Sequence, residues 1–197
     1  MPWKNGLGVT REIAREPAMG EEFAWRLSLA QIDADCDFSA FPGYRRALVL
    51  VTGDNLQLRF KGHGRCSLGP ARRGIRFEGD WQTHCAVPHG CCTDLSLIVR
   101  KGSMARPACI VRAPMLLRIG SSRRLVVAAG IHGALFALDG SVAVTESTRA
   151  RPRSLRTWDT LLLSPGAQST LTVRNLGPQP AQLVLLRWRP GAGLNGR

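Results

Sequence analysis

A chain of 197 residues with a 44% hydrophobic share can bury a core without help from disulfides or metal. No run approaches the ~20 apolar residues of a membrane span and no apolar signal-peptide stretch opens the chain, so a soluble, cytoplasmic protein is expected. The net charge of +13 is lopsided, at +2 through Arg100 and +11 from Lys101 onward, yet its arginines are mostly scattered, and a high pI alone is a weak sign of nucleic-acid binding.

Only Lys4, Lys61 and Lys101 are lysines, a skew that a GC-rich coding sequence produces without any binding role. The six cysteines, Cys36, Cys66, Cys85, Cys91, Cys92 and Cys109, show no disulfide framework and read as reduced thiols buried as small hydrophobes.

The opening stretch MPWKNGLGVTREIA crowds an aromatic, a cation, an amide and two glycines together. Gly6 and Gly8 permit close backbone approach and positive φ, and Asn5 supplies both a donor and an acceptor. Lys4 adds a point charge and Trp3 a large plug. Such a loop can rest over a barrel mouth and offer N–H groups to an anion; equally, it can be a tight turn with Trp3 in the core. VTREIA then alternates, with Thr10 and Glu12 opposite Val9, Arg11 and Ile13.

In FAWRLSLAQI, Phe23, Trp25, Leu27 and Leu29 fall on one face, and Ala24, Arg26, Ser28 and Ala30 on the other. If both faces are enclosed, the small side chains beside Arg26 leave room for one small anion. If the second face is solvated, Arg26 is a surface residue. DFSAFPGYRRALVLVTG places Phe38, Ser39 and Phe41 ahead of a Pro-Gly turn and a strand, where they either line a pocket or cap a core. RALVLVTGDNLQLRF predicts strands over 47–51 and 56–60 around a turn, and TDLSLIVRKG a further strand. The second half repeats the pattern in RLVVAAGIHGALFALDGSVAVTE, DTLLLSPGAQSTLTVRN and AQLVLLRWRP. Short strands punctuated by Gly and Pro predict an all-β barrel or sandwich, in two sets.

PWKNGLGVTREIA, WRLSLAQI, FSAFPGYRRALVLVTG and FEGDWQTHCAVPHGCCTDLSLIVRKG together resemble the HutD/Ves family. The resemblance is close over about the first hundred residues and rests on strand pattern beyond. It implies an all-β, cupin-like barrel in a two-lobed bicupin, with lobes at 1–103 and 104–190 and a flexible tail at 191–197. It also implies a modulator of bacterial histidine utilisation that senses a small carboxylate, either urocanate or a formylated glutamate-type intermediate. The family motif falls on Pro2, Trp3, Lys4, Asn5, Gly6, Gly8, Thr10 and Glu12. It continues on Trp25, Arg26 and Ser28, on Phe38, Ser39, Phe41, Pro42, Gly43 and Arg46, and on Phe77, Gly79 and Asp80. This sequence departs from the pattern at Leu7, Cys36, Asp37 and Arg45, the last reversing a commonly acidic charge. Relatives carry a short strand upstream of the motif, so either an edge strand is missing or the start lies further upstream.

Many cupins hold a metal through a His-x-His pattern, which is absent among His63, His84, His89 and His132. HCAVPHGCC offers zinc-ligand residue types, but adjacent His84 and Cys85 on a strand point to opposite faces. No cofactor, metal or catalytic residue is therefore assigned. The expected ligand-binding residues are Trp3, Lys4, Asn5, Thr10, Glu12, Arg26, Ser28, Phe38, Ser39, Phe41 and Arg46. The expected partner is a small carboxylate metabolite and not a membrane, nucleic-acid binding through the basic second half is kept as a third and less favoured reading, and a homodimer is left open. The alternative is a cupin enzyme acting on a small carboxylic acid.

Overall fold

The computed structural model describes residues 1, 3, 6–17, 19, 22–102, 109–147 and 151–191. The described strands begin with β1 (Gly8–Glu16), β2 (Trp25–Ile32), β3 (Cys36–Phe38), β4 (Tyr44–Thr52), β5 (Leu56–Phe60) and β6 (Gly64–Leu68). They continue with β7 (Gly74–Glu78), β8 (Thr83–Ala86), β9 (Cys92–Arg100) and the short β10 (Ile110–Val111). Then come β11 (Met115–Ile119), β12 (Ser122–Val127), β13 (His132–Asp139) and β14 (Val142–Glu146). The last four are β15 (Arg153–Leu155), β16 (Thr160–Leu163), β17 (Ser169–Asn175) and β18 (Ala181–Arg189). Among the described residues no helix is long and apolar enough to cross a membrane.

The chain divides into two compact units, Met1–Ala113 with Pro190–Arg197, and Pro114–Arg189. The first unit runs past the expected boundary at 103 because the backbone beyond it is tied down. Arg45 Nη1 donates to the Cys109 carbonyl at 3.1 Å and Arg76 Nη1 to the Val111 carbonyl at 2.7 Å. Gly191, at the start of the expected tail, donates its N–H to the Arg100 carbonyl at 3.0 Å. Residues 192–197 lie outside the described residues.

In the first unit a sheet ordered β1-β2-β9-β4-β7 faces a second ordered β3-β8-β5-β6. Period-two alternation explains the core between them. Along β5, Leu56, Leu58 and Phe60 are buried while Gln57 and Arg59 are exposed. They join Ile32, Leu48 and Leu50 from the first sheet in one apolar cluster. The second unit repeats the scheme. β13 lies between β18 and β16, with β11 paired to β18, and the other sheet is ordered β12-β17-β14-β15. Leu125, Leu135, Val144, Leu171 and Leu183 belong to its separate core. β2, β4 and β9 are buried on both faces over most of their length, so any polar side chain they carry on the inner face lies within the barrel of the first unit.

Candidate functional site

Strand register builds the site. β2 pairs with β9, and β9 with β4, so that Arg26, Ile98 and Arg46 stand side by side on one rung. The next rung on that face is Ser28, Ser96 and Leu48, and the one after it Ala30, Asp94 and Leu50. β1 extends the rungs sideways, setting Arg15 beside Arg26, Glu12 beside Ser28 and Thr10 beside Ala30. A bulge between Glu12 and Ala14 brings Arg15 into that alignment. One rung further, Ile32 and Cys92 are already part of the apolar core. The barrel is thus packed at one end and hollow beside it.

The hollow is a cavity of about 500 Å³, within the usual range for small-molecule sites. Arg26, Ser28 and Ala30 of β2 line it, with Asp94, Ser96 and Ile98 of β9 and Arg46 of β4. Phe38, Ser39 and Phe41 form another wall, and Trp3 and Thr10 a third. Ser39 and Phe41 line the cavity, and Phe38 does so while also packing against the apolar core, so both readings left open for this stretch apply to it. Arg26 lines this cavity and is partly buried.

The opening segment folds back onto β1. Trp3 N–H donates to the Gly8 carbonyl at 2.9 Å, and its indole Nε1 donates to Thr10 Oγ1 at 2.7 Å. Gly6 has φ +71°, and a Cβ on Gly8 would lie 2.4 Å from the Gln31 carbonyl and 3.0 Å from the Trp3 ring. Trp3 both packs against the core and lines the cavity. Lys4 and Asn5 lie outside the described residues. Glu12 departs from expectation: although it shares a face with Ser28, it does not line the cavity. β1 is the edge strand of its sheet, and this long acid reaches outward to sit 3.9 Å from Arg15 Nη1.

Aromatic rings hold both cavity arginines. The Arg26 guanidinium lies over Phe23 at 5.1 Å and Phe41 at 5.3 Å. That of Arg46 lies over Phe77 at 5.0 Å, Phe38 at 5.1 Å and Phe41 at 5.6 Å. Arg46 is only 8% exposed, and among the described residues its guanidinium donates only two long hydrogen bonds, to the Ser39 carbonyl and Ser96 Oγ, both at 3.5 Å. Burial lowers its pKa to about 10, leaving it cationic at neutral pH, and burial lowers that of Arg26 too. The buried Nε atoms of both arginines lack hydrogen-bond partners among the described residues. Donors left unmet in a buried site are costly; here they belong to side chains that line a cavity.

Sequence reasoning missed Asp94 and Ser96. Asp94 is 2% exposed, and its Oδ1 has no hydrogen-bond partner among the described residues. Burial pushes its carboxyl up to about 7, against the nearby Arg46 charge. The signal lay in TDLSLIV, where Asp94 and Ser96 alternate with Leu95 and Leu97 just as Ser28 and Ala30 alternate with Leu27 and Leu29.

A second, larger cavity of about 660 Å³ is bordered by Arg59, Lys61 and His84. Its cations are exposed, and His84 Nδ1 already meets Asp37 at 2.8 Å, so among the described residues no buried unmet polar group points to a ligand there. Among the described residues no three His, Cys, Asp or Glu side chains are placed to hold a metal. The first cavity offers two separate carboxylates, Asp37 and Asp94, and no histidine, a donor set that does not fit a cupin-type metal. Cys85 is fully buried on β8, whereas neighbouring His84 is half-exposed and turned the other way. Of the six thiols Cys91 alone is exposed, and burial pushes Cys92 up to about 12.

Comparison with known proteins adds to this geometry. The HutD family model matches residues 1–178. A Pseudomonas putida protein known as an uncharacterized 21.2 kDa protein in the hutC 3′ region is 39% identical over 99 residues. That match spans about half of each chain, 50% of this one and 52% of the relative. The solved structure of HutD from Pseudomonas fluorescens SBW25, in a formate condition, has a TM-score of 0.72 at 29% identity. It covers 98% of this chain and 94% of that one. A cupin 2 conserved barrel domain protein from Leptotrichia buccalis has a TM-score of 0.55 at 11% identity, covering 91% of this chain and 88% of that one; it bears on the fold alone. The all-β, cupin-like architecture expected from the sequence is the one present.

Proposed function

The chain belongs to the HutD family, and from that premise we propose that it is a non-enzymatic binding protein for a small carboxylate and modulates bacterial histidine catabolism. One observation carries the reading. Arg26 and Arg46 share a rung on the cavity wall, are held by aromatic faces rather than acids, and have buried Nε donors without partners. Such a pair favours an anion, and a guanidinium can bind a carboxylate through two parallel hydrogen bonds. Ser28 and Ser96 add neutral hydroxyls one rung away, and Phe38 and Phe41 wall the apolar part of the ligand. Each charge-assisted hydrogen bond contributes about 1.5–3 kcal/mol. Two or three, less the cost of ordering, give roughly micromolar-to-millimolar binding, suited to a metabolite sensor.

The family name and the hutC neighbourhood of the P. putida relative support the link to histidine utilisation. Urocanate and formylated glutamate are the ligands to try first. A ligand that binds the native state raises the melting temperature, so thermal shift against both acids tests the reading. NMR of the same mixtures tests the alternative of a cupin enzyme: a steady conversion of either acid means turnover, and unchanged spectra with a raised melting temperature mean binding alone.

A further inference from the structure

The carboxylate reading gives Asp94 no task, yet the fold makes its position conspicuous. It lies two rungs from the arginines, roughly 13 Å along the strands at about 3.3 Å per residue, next to the rung where the apolar core closes the barrel. Its partner across β2 is Ala30 and across β4 is Leu50, neither of which offers a donor side chain. Ser28 and Ser96 occupy the rung between it and the arginines. Among the described residues Asp94 Oδ1 is left without a partner at 2% exposure. Buried acceptors in native proteins are nearly always met, and the residue that carries this one lines the cavity. The cavity therefore has a polar axis: two cations on one rung, hydroxyls in the middle, one acid at the floor.

We propose that Asp94 receives a hydrogen bond from the ligand, so that the ligand class is a small acid carrying an N–H donor on the side remote from its carboxylate. The inference rests on the carboxylate reading and sharpens it. A simple fatty or aromatic acid satisfies the arginines and leaves Asp94 Oδ1 unmet. An acid with an N–H group satisfies both ends, and the small side chain of Ala30 leaves room for that group. A second carboxylate in its place would set two acids together at the floor, which like charges oppose.

Two isosteric pairs test this, because each differs only in the donor. Pyrrole-3-carboxylate is matched with furan-3-carboxylate, and 3-(pyrrol-3-yl)acrylate with 3-(furan-3-yl)acrylate, which turn the ring N–H away from the carboxylate and sample two ligand lengths. Calorimetry on the full chain is expected to give at least tenfold tighter binding of the pyrrole member in one pair or both. Asp94→Leu should bring the pair within about twofold of each other while both still bind; if that variant does not fold, Asp94→Asn should shrink the gap at least threefold. Equal binding of pyrrole and furan acids by the unaltered protein, or a gap that survives both substitutions, overturns the inference and leaves the carboxylate reading standing. Failure of all four acids to bind at millimolar concentration overturns both.

Discussion

Arg26 and Arg46 flank Ile98 on a single cross-strand rung, although twenty positions separate them in the chain. Neither has a carboxylate ion pair within reach among the described residues, and their charges are spread over the rings of Phe23, Phe38, Phe41 and Phe77. The Arg26 charge is one of the influences that lower the pKa of Arg46, after burial. Glu12 and Asp94 act on the two arginines only at a distance, and a cationic pair without a direct ion pair among the described residues is the feature on which the binding reading turns.

Replacing Arg26 by Ala should weaken urocanate or formylglutamate binding at least about tenfold, the equivalent of ~1.4 kcal/mol, with the fold intact. Calorimetry on a variant whose circular dichroism matches the parent decides it. Unchanged affinity would remove Arg26 from the binding role.

Asp94 should make stability depend on pH. Its folded-state pKa, raised by burial to about 7 from an ordinary 3.8, lies above that of the unfolded chain, so between these values the native state holds the extra proton. The stability it contributes is fully present below about pH 4 and is lost as the pH rises through about 7, a change of order a few kcal/mol. Asp94→Asn should flatten this part of the profile, so the difference in urea midpoint between parent and variant should grow from pH 4 to pH 8 in favour of the variant. A constant difference would refute the assignment.

Gly8→Ala should destabilise the first unit. The added Cβ meets a backbone carbonyl at 2.4 Å and the Trp3 ring at 3.0 Å, and backbone cannot swing away as a flexible side chain can. A cost of about 1–3 kcal/mol is expected, read as a fall in Tm of roughly 2–4 °C per kcal/mol.

The Trp3 indole and Thr10 hydroxyl, 2.7 Å apart, should be energetically coupled. A double-mutant cycle of Trp3→Phe and Thr10→Val by chemical denaturation is expected to give about 1 kcal/mol of interaction. Additive effects would mean that the opening segment is not fastened to β1 through this bond.

How far the sequence could be read depends on the range of the physics involved. Alternation is local, because successive side chains on a strand point to opposite faces. FAWRLSLAQI therefore revealed on its own that Arg26, Ser28 and Ala30 share a side, and LQLRF that Leu56, Leu58 and Phe60 do. The glycines of the opening loop were equally legible, since positive φ at Gly6 and close approach at Gly8 are backbone demands few residues meet. Glu12 was misplaced because alternation assigns a face but says nothing about how far a long side chain on an edge strand reaches into solvent.

What only the tertiary structure decided is which strands are neighbours. β2, β9 and β4 come from distant parts of the chain, and it is their non-local hydrogen bonding that sets Arg26, Ile98 and Arg46 on one rung and Asp94 two rungs below. The same pairing chose between a solvated and an enclosed face for Arg26, where alternation alone favours the solvated one. The sequence by itself determined an all-β chain with small and polar side chains on one face of its second strand. Closing that face into a barrel, and so turning spare room into a cavity with cations at one end and an acid at the other, was the work of register between strands.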